Sequence, residues 1–497
     1  MTRTSAADVK RAGLGPSSTV AAALHLPRPE VGRARGVRMP SKELQISRSS
    51  RVAHLPKRSA KEDFSRKALE YAQFYGGKMG TAPRVPVRSL DDFSIWYTPG
   101  VAAVSKAIQA NPELSYEYTN RWNTIAIATN GSRVLGLGNI GPTAAMPVME
   151  GKALIYKYLG GVDAVPLPIR AEGEEQFIAT VKALEPTFGG INLEDIESPM
   201  CFEILDRLRG EMQIPVWHDD QQGTAGVVLA GLFNALELTG RTMRDARIVL
   251  FGAGAANVAA ARLLFQAGAT PANLTVLDSK GILHPEREDI DQLLLRNKWK
   301  YDLAIKTNGD RVRGGLNEAL KGADVLIAAA GQGPNLVKRG EVAQMDKHAI
   351  AFFLANPVPE MWPDEARAAG AEIVATGRSD FPNQVNNSLM FPAVFRGAFD
   401  VRAKTITDSM VIVAAKELAS FAKEGGLSKD KIIPTMVEWE VFPRVAAALG
   451  AQAINEGLAL KKASKKRLLE IATEKIAQTR KVMHVLRRNG IINEPPD

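Results

Sequence analysis

The sequence predicts an α/β fold with an N-terminal α/β domain, a doubly wound parallel-sheet domain and a helical C-terminal segment. Three observations carry this. Short apolar runs alternate with helical patterning from about residue 61 to 400, as in β-α units that build a mostly parallel sheet. The apolar run IVLF opens through GAGAAN (252–257) into an alanine-rich helix. After about residue 400 only helical patterning continues.

In chain order, KEDFSRKALEYAQFYG (61–76) reads as the first helix. Pro83 and Pro86 mark a loop, and Val101, Val104 and Ile108 repeat at helical spacing after Pro99. NTIAIAT and RVLGLG read as strands, PVMEGKALIYKYLGG as a helix closed by glycines, and DAVPLPI as the next strand. EEQFIATVKALEP is helical, FGGINLED a strand with an acidic end, and SPMCFEILDRLRG helical. The second domain opens with a long helix (TAGVVLAGLFNALELTG), followed by RIVLFGAG, NLTVLD, DVLIAAAG and AIAFFLANP. The expected boundaries are 1–60 for a tail, 61–223 for the first domain, 224–400 for the second and 401–497 for helices packing on the body.

Composition narrows the function. The 497 residues are 45% hydrophobic, enough for more than one core. A single cysteine, Cys201, excludes a disulfide framework and a thiolate zinc site. No apolar run reaches the ~18 residues of a membrane helix. The net charge of +9 lies in residues 1–60, which hold 12 Lys/Arg and three acids, leaving 51 of each sign elsewhere. Nucleic acid is therefore not the expected partner of the body. The tail reads as disordered, with a transit peptide, a polyanion-binding arm or a later start at Met39 as alternatives. A cytoplasmic protein is expected, or an organellar one if the tail is a transit peptide.

Two carboxylate pairs stand at strand ends: Glu194-Asp195 and Asp219-Asp220. Four acids converging on one spot repel unless a cation sits among them, and Mg²⁺ or Mn²⁺ prefers carboxylate oxygens. Two glycine motifs compete for a dinucleotide. GLGNIG (Gly136, Gly138, Gly141) fits G-x-G-x-x-G by letter, and GAGAAN fits by context. The latter lies between strand and helix, with Asp278 ending the next strand. There Gly252 closes the turn, Gly254 admits the pyrophosphate, and the helix N-terminus at Ala255, Ala256 and Asn257 stabilises its charge. This is a Rossmann-type NAD(P) site. Asp278 would bind ribose hydroxyls and favour NAD, whereas Lys280 would meet the 2′-phosphate of NADP. GLGNIG is either a structural turn or a backbone cradle beside the substrate. GQGP (331–334) is a further glycine turn after a strand.

WYTPGVA (96–102), VLGLGNIGPTAAMPVMEGKALIYKYLGGVDA (134–164), NLEDIESPMCFEI (192–204), HDDQQGTA (218–225), LANPVPE (354–360) and PNQVNNSLMFPAVFRGAFDV (382–401) together resemble the malic enzymes, in size closer to their compact bacterial and archaeal type. The resemblance implies oxidative decarboxylation of (S)-malate to pyruvate and CO₂ with NAD or NADP and Mg²⁺ or Mn²⁺, and oxaloacetate decarboxylation as a related activity. It casts Lys152 as the base at the C2 hydroxyl, with its pKa lowered, and Asp219 as its orienting partner. Tyr97 becomes the acid that protonates C3, and Glu194, Asp195 and Asp220 the metal ligands. Arg133, Asn356, Asn386 and Asn387 become malate-binding residues, with Asn356 also at the nicotinamide. A homodimer or higher homo-oligomer is expected.

Asn130 and Asn139 stand where the family usually has Asp, and Trp217 and Gln222 are local variants. His218 reads as a packing residue. Two other functions compete: a malolactic-type conversion without net oxidation, and an inert scaffold whose basic tail binds a polyanion.

Overall fold

Two parallel sheets carry the fold. The computed structural model describes residues 60–496. The tail reading, including its transit and polyanion alternatives, concerns residues 1–60, of which 1–59 lie outside the described residues. The first sheet holds β1 (Thr124–Thr129), β2 (Asp163–Pro168), β3 (Gly190–Leu193) and β4 (Val216–His218) in the order β2-β1-β3-β4, all parallel. Every residue of β1, β3 and β4 is buried, as expected where helices cover both faces.

The second sheet holds β5 (Ile248–Phe251), β6 (Leu274–Asp278), β7 (Gly281–Ile282), β8 (Val325–Ala328), β9 (Ala349–Phe353) and β10 (Ala371–Thr376). Their order is β10-β9-β8-β5-β6-β7, parallel except for the short β7. Strand order reverses between β5 and β8, so a crevice opens at their carboxyl ends.

The Thr224–Leu238 helix leads from the first sheet to the second. Eleven of its residues are buried, so it is apolar nearly all round, as a central helix must be. The later helices Phe391–Val401, Asp408–Glu424, Val441–Asn455 and Lys465–Arg488 pack on this body. Glycines set the closest approaches: a Cβ on Gly397 would lie 2.3 Å from the Ala446 carbonyl oxygen, and one on Gly160 2.7 Å from that of Pro392. From Lys61 onward the chain forms one compact unit. Among the described residues no helix is long and apolar enough to cross a membrane.

One expected strand is absent. RVLGLG forms a tight turn with a single bridge between Val134 and Gly138. Leu135 has φ 47° and Gly138 φ 78°, which breaks the extended conformation that alternating Val and Leu suggested. The backbone N–H groups of Arg133 and Leu135 instead bond to Asp195. GLGNIG therefore follows a turn, not a strand.

Candidate active site

The two carboxylate pairs converge because β3 and β4 are adjacent and parallel and end together. Glu194 and Asp195 follow β3, and Asp219 and Asp220 follow β4 in a single π turn, Asp219–Gly223. Such turns concentrate at functional sites. Gly223 is required there, since its Cβ would lie 1.9 Å from Asp219 Oδ1.

Lys152, from the Gly141–Gly160 helix, enters this cluster. It is buried, its Nζ lies 2.7 Å from Glu194 Oε1, and it donates to Asp219 Oδ2. It also lies 4.4 Å from the centre of the Phe391 ring. Both partners are held from behind. Tyr156 donates to Asn192 (2.7 Å), Asn192 donates to Glu194 Oε2 (2.9 Å), and Trp217 Nε1 donates to Asp219 Oδ1 (3.1 Å). These three supporting residues escaped functional reading in the sequence; NLED and VWHDD flag only the acids.

Charge and burial oppose one another here. Burial disfavours the Lys152 ammonium, but Asp219, Glu194 and Asp220 outweigh it and raise its pKa above that of an ordinary lysine. This corrects the expected lowering: the isolated cluster keeps Lys152 protonated. Burial lifts the Asp219 carboxyl to about 6, against Lys152, and lifts Asp195 to about 8, with Asp220 adding repulsion. Glu194 is likewise raised by burial.

The carboxylates of Glu194, Asp195 and Asp220 offer oxygens within 4.8 Å of one another. Asp195 has φ 53°, its Oδ2 is buried without a hydrogen-bond partner, and its N–H binds Asp220 Oδ2 at 2.8 Å. An orphaned buried carboxylate oxygen beside two others fits a hard divalent cation. His218 is fully buried, with both ring nitrogens unpartnered and its pKa pushed down to about 4 by burial. It is a neutral packing group 3.7 Å from Asp220.

The other predicted residues divide. Arg133 is exposed, and its guanidinium has no hydrogen bond or ion pair among the described residues. Asn386 is committed locally: its Oδ1 accepts from Ser388 N at 2.9 Å and its Nδ2 donates to Gly377. Asn387 makes no side-chain hydrogen bond among the described residues, and its Cβ lies 3.3 Å from the Cβ position of Gly223, beside Asp219. Asn356 is half-buried against Gly377. Tyr97 is 73% exposed and its hydroxyl has no partner among the described residues. It is not brought into the cluster. Asn130 and Asn139 do turn chemistry: Asn130 Oδ1 accepts from Ser132 N and Oγ, and Asn139 Oδ1 from Gly141 N.

At the crevice, Gly252 has φ 98° and its Cβ would lie 2.5 Å from the Ala329 carbonyl oxygen. A Cβ on Gly254 would meet nothing within 4 Å, so that side of the turn is open. The Ala255–Gln266 helix starts there, with Ala255 and Ala256 half-buried in its first turn. Asn257 is turned inward and donates to the carbonyls of Phe251, Gly252 and Ile327, so its amide staples the turn. Asp278 ends β6 bonded to Arg287 (3.0 Å) and Lys300 (3.4 Å), while Lys280 pairs with Asp289 at 2.9 Å.

A buried lysine–carboxylate centre beside a doubly wound sheet with a glycine turn defines an α/β enzyme of the nucleotide-binding class. The chain matches the malic enzyme N-terminal domain over residues 77–174 and 170–209, and the malic enzyme NAD-binding domain over 221–454. It is 45% identical to the bifunctional malic/malolactic enzyme of Bacillus subtilis, covering 79% of this chain and 93% of that one. It is 44% identical to the NAD-dependent malic enzyme of Geobacillus stearothermophilus, covering 78% of each. Among solved structures, the Entamoeba histolytica malic enzyme superposes with TM-score 0.86 at 43% identity, over 88% of this chain and 91% of that one. The Pyrococcus horikoshii malic enzyme gives TM-score 0.79 at 47% identity, over 85% and 98%. The chain belongs to the malic enzyme family.

A buried carboxyl whose pKa rises on folding stabilises below its unfolded value, about 4, and that stability is lost as pH climbs through the folded value. For Asp195 that window ends near 8. In EDTA the melting temperature should therefore fall between pH 5.5 and 8.5, and Mn²⁺ should suppress the fall. Asp195→Asn should flatten it, and an equal fall in that variant would contradict the assignment.

Proposed function

We propose that this protein catalyses oxidative decarboxylation of (S)-malate to pyruvate and CO₂ with reduction of NAD(P), and that it depends on a divalent metal. One observation carries the reading: Lys152 buried between Glu194 and Asp219, beside the orphaned Asp195 oxygen.

Glu194, Asp195 and Asp220 would hold Mg²⁺ or Mn²⁺, which would polarise the C2 oxygen and stabilise enolate charge. Neutralising those acids would withdraw the Glu194 and Asp220 part of the field that keeps Lys152 protonated, leaving Asp219 opposed by burial, which favours the free amine. Lys152 then takes the C2 hydroxyl proton as the C2 hydride leaves for the nicotinamide. Asp219, fixed by Trp217, aims the amine. The C3–C4 bond breaks, CO₂ departs, and C3 takes a proton, the step assigned to Tyr97. The unpaired Arg133 suits a malate carboxylate, and Asn387 has the free amide that Asn386 lacks. Oxaloacetate, the product of the hydride step, would enter the same decarboxylation.

In the crevice, Gly252, Gly254, Ala255 and Ala256 would receive the pyrophosphate, and Asn356 the nicotinamide end. Asp278 is occupied by Arg287 and Lys300, which favours NADP over the NAD alternative, with 63%-exposed Lys280 meeting the 2′-phosphate. The malolactic reading stays open because the Bacillus subtilis relative is named for both activities.

The chain is proposed to work as a homodimer. The first helices leave a broad apolar face uncovered: Leu69 is 76% exposed, Leu90 80% and Ile95 57%, and the Val101–Ala110 helix has no buried residue. A second copy fits such a face, because monomers rarely expose contiguous apolar patches of this kind. Tyr97 lies in the same segment, and covering it would give the proposed acid a dry setting.

Sedimentation should show a dimer at micromolar concentration; a monomer would contradict the interface. With (S)-malate and Mn²⁺, absorbance at 340 nm should rise with matching pyruvate, faster with NADP than with NAD. Lys152→Ala should lower turnover about 10²–10⁴-fold while cofactor binding persists. Turnover surviving within a few-fold would refute the base assignment, and lactate without absorbance growth would support the malolactic reading.

A further inference from the structure

Glu360 is fully buried, yet no lysine, arginine or histidine among the described residues pairs with it. Burial pushes its carboxyl up to about 7, against backbone N–H groups that favour the charged form. An unpaired buried carboxyl is costly to keep unless its oxygens are hydrogen-bonded. One oxygen accepts from Ala330 N (3.1 Å) and the other from Ala355 N (3.2 Å). Ala330 stands two residues beyond β8, and Ala355 two beyond β9. One side chain thus ties together two neighbouring loops at the carboxyl edge of the sheet.

The first of these loops lines the crevice, and the second follows the neighbouring strand. Ala329 and Ala330 form the wall against which Gly252 closes, with a Cβ there meeting Ala330 Cα at 2.8 Å. Ala355 precedes Asn356. At the crest, the Gln332 side chain rests on Gly136, where a Cβ would meet it at 1.2 Å. Gly136 follows Leu135, whose N–H bonds to Asp195. The tie at Glu360 thus joins the segment that walls the glycine turn to the backbone just before Asn356.

We propose that Glu360 is a positioning residue for the dinucleotide: by gripping Ala330 and Ala355 it presets the spacing of the two loops between which the nicotinamide half binds. This rests on the reading of the crevice as the NAD(P) site. Glu360 touches neither cofactor nor substrate. It lowers the ordering cost of binding by holding the loops ready beforehand.

Glu360→Gln tests this without a change of size. Glutamine offers one acceptor oxygen and turns an amide donor toward the second backbone N–H, so one loop loses its anchor. The dissociation constant and KM for the cofactor should rise about tenfold or more, the loss expected for one hydrogen bond to a charged acceptor. The KM for malate and the Mn²⁺ affinity should stay within about twofold, a split that general destabilisation would not produce. Cofactor affinity within about twofold of wild type would overturn the inference while leaving the cofactor reading intact. A wild-type protein that binds neither NAD nor NADP would overturn both. If the variant does not fold, hydrogen exchange on the wild type decides: the Ala330 and Ala355 amides should be protected before cofactor is added. Protection that appears only with cofactor would show that the loops are not preset, and would overturn the inference.

Discussion

The ion pair of Lys152 with Asp219 and Glu194 is the contact on which the site depends. Four carboxylates at the ends of β3 and β4 are tolerable in a buried setting only with positive charge among them, and Lys152 supplies part of it. The ammonium cannot balance all four. Burial, with repulsion from Asp220, pushes the Asp195 carboxyl up to about 8, and one of its oxygens is buried without a hydrogen-bond partner. A divalent cation would remove both penalties at once. The same cation would weaken the field that holds Lys152 protonated, with Asp219 still paired to it.

The architecture delivers this contact by pairing two successive strands in one direction. Parallel pairing of β3 with β4 brings two acid pairs, 25 residues apart in sequence, to one edge. The Gly141–Gly160 helix presents Lys152 to that edge. In the other sheet, reversal of strand order between β5 and β8 opens the crevice, and glycine at 252 lets its two lips close to backbone contact. The turn at 133–138 joins the two sites, bonded to Asp195 on one side and touching Gln332 on the other.

Much of this was legible in the sequence where the cause was local. Apolar strands ending in acids, a glycine turn between strand and helix, and alternating β and α patterns each depend on neighbouring residues, and each is visible in the letters. RVLGLG misled because its apolar alternation resembles a strand, while its glycines and the long-range grip of Asp195 make a turn. Long-range partners left no local trace. Tyr156 and Asn192 behind Glu194, Trp217 on Asp219, and Glu360 between two loops are ordinary residues until the fold assembles them. Asn257, selected as a ligand-facing residue, is turned inward because three carbonyls of its own turn and of β8 compete for its amide. The raised pKa of Lys152 was also beyond the sequence, since it depends on how many acids share its cavity.

The central claim is that Glu194, Asp195 and Asp220 form a divalent-metal centre beside Lys152. The most direct measurement is anomalous diffraction from crystals grown with Mn²⁺. One strong manganese peak bounded by those three carboxylates is expected, with Lys152 close by but not coordinated. A peak elsewhere, or none at saturating Mn²⁺, would contradict it.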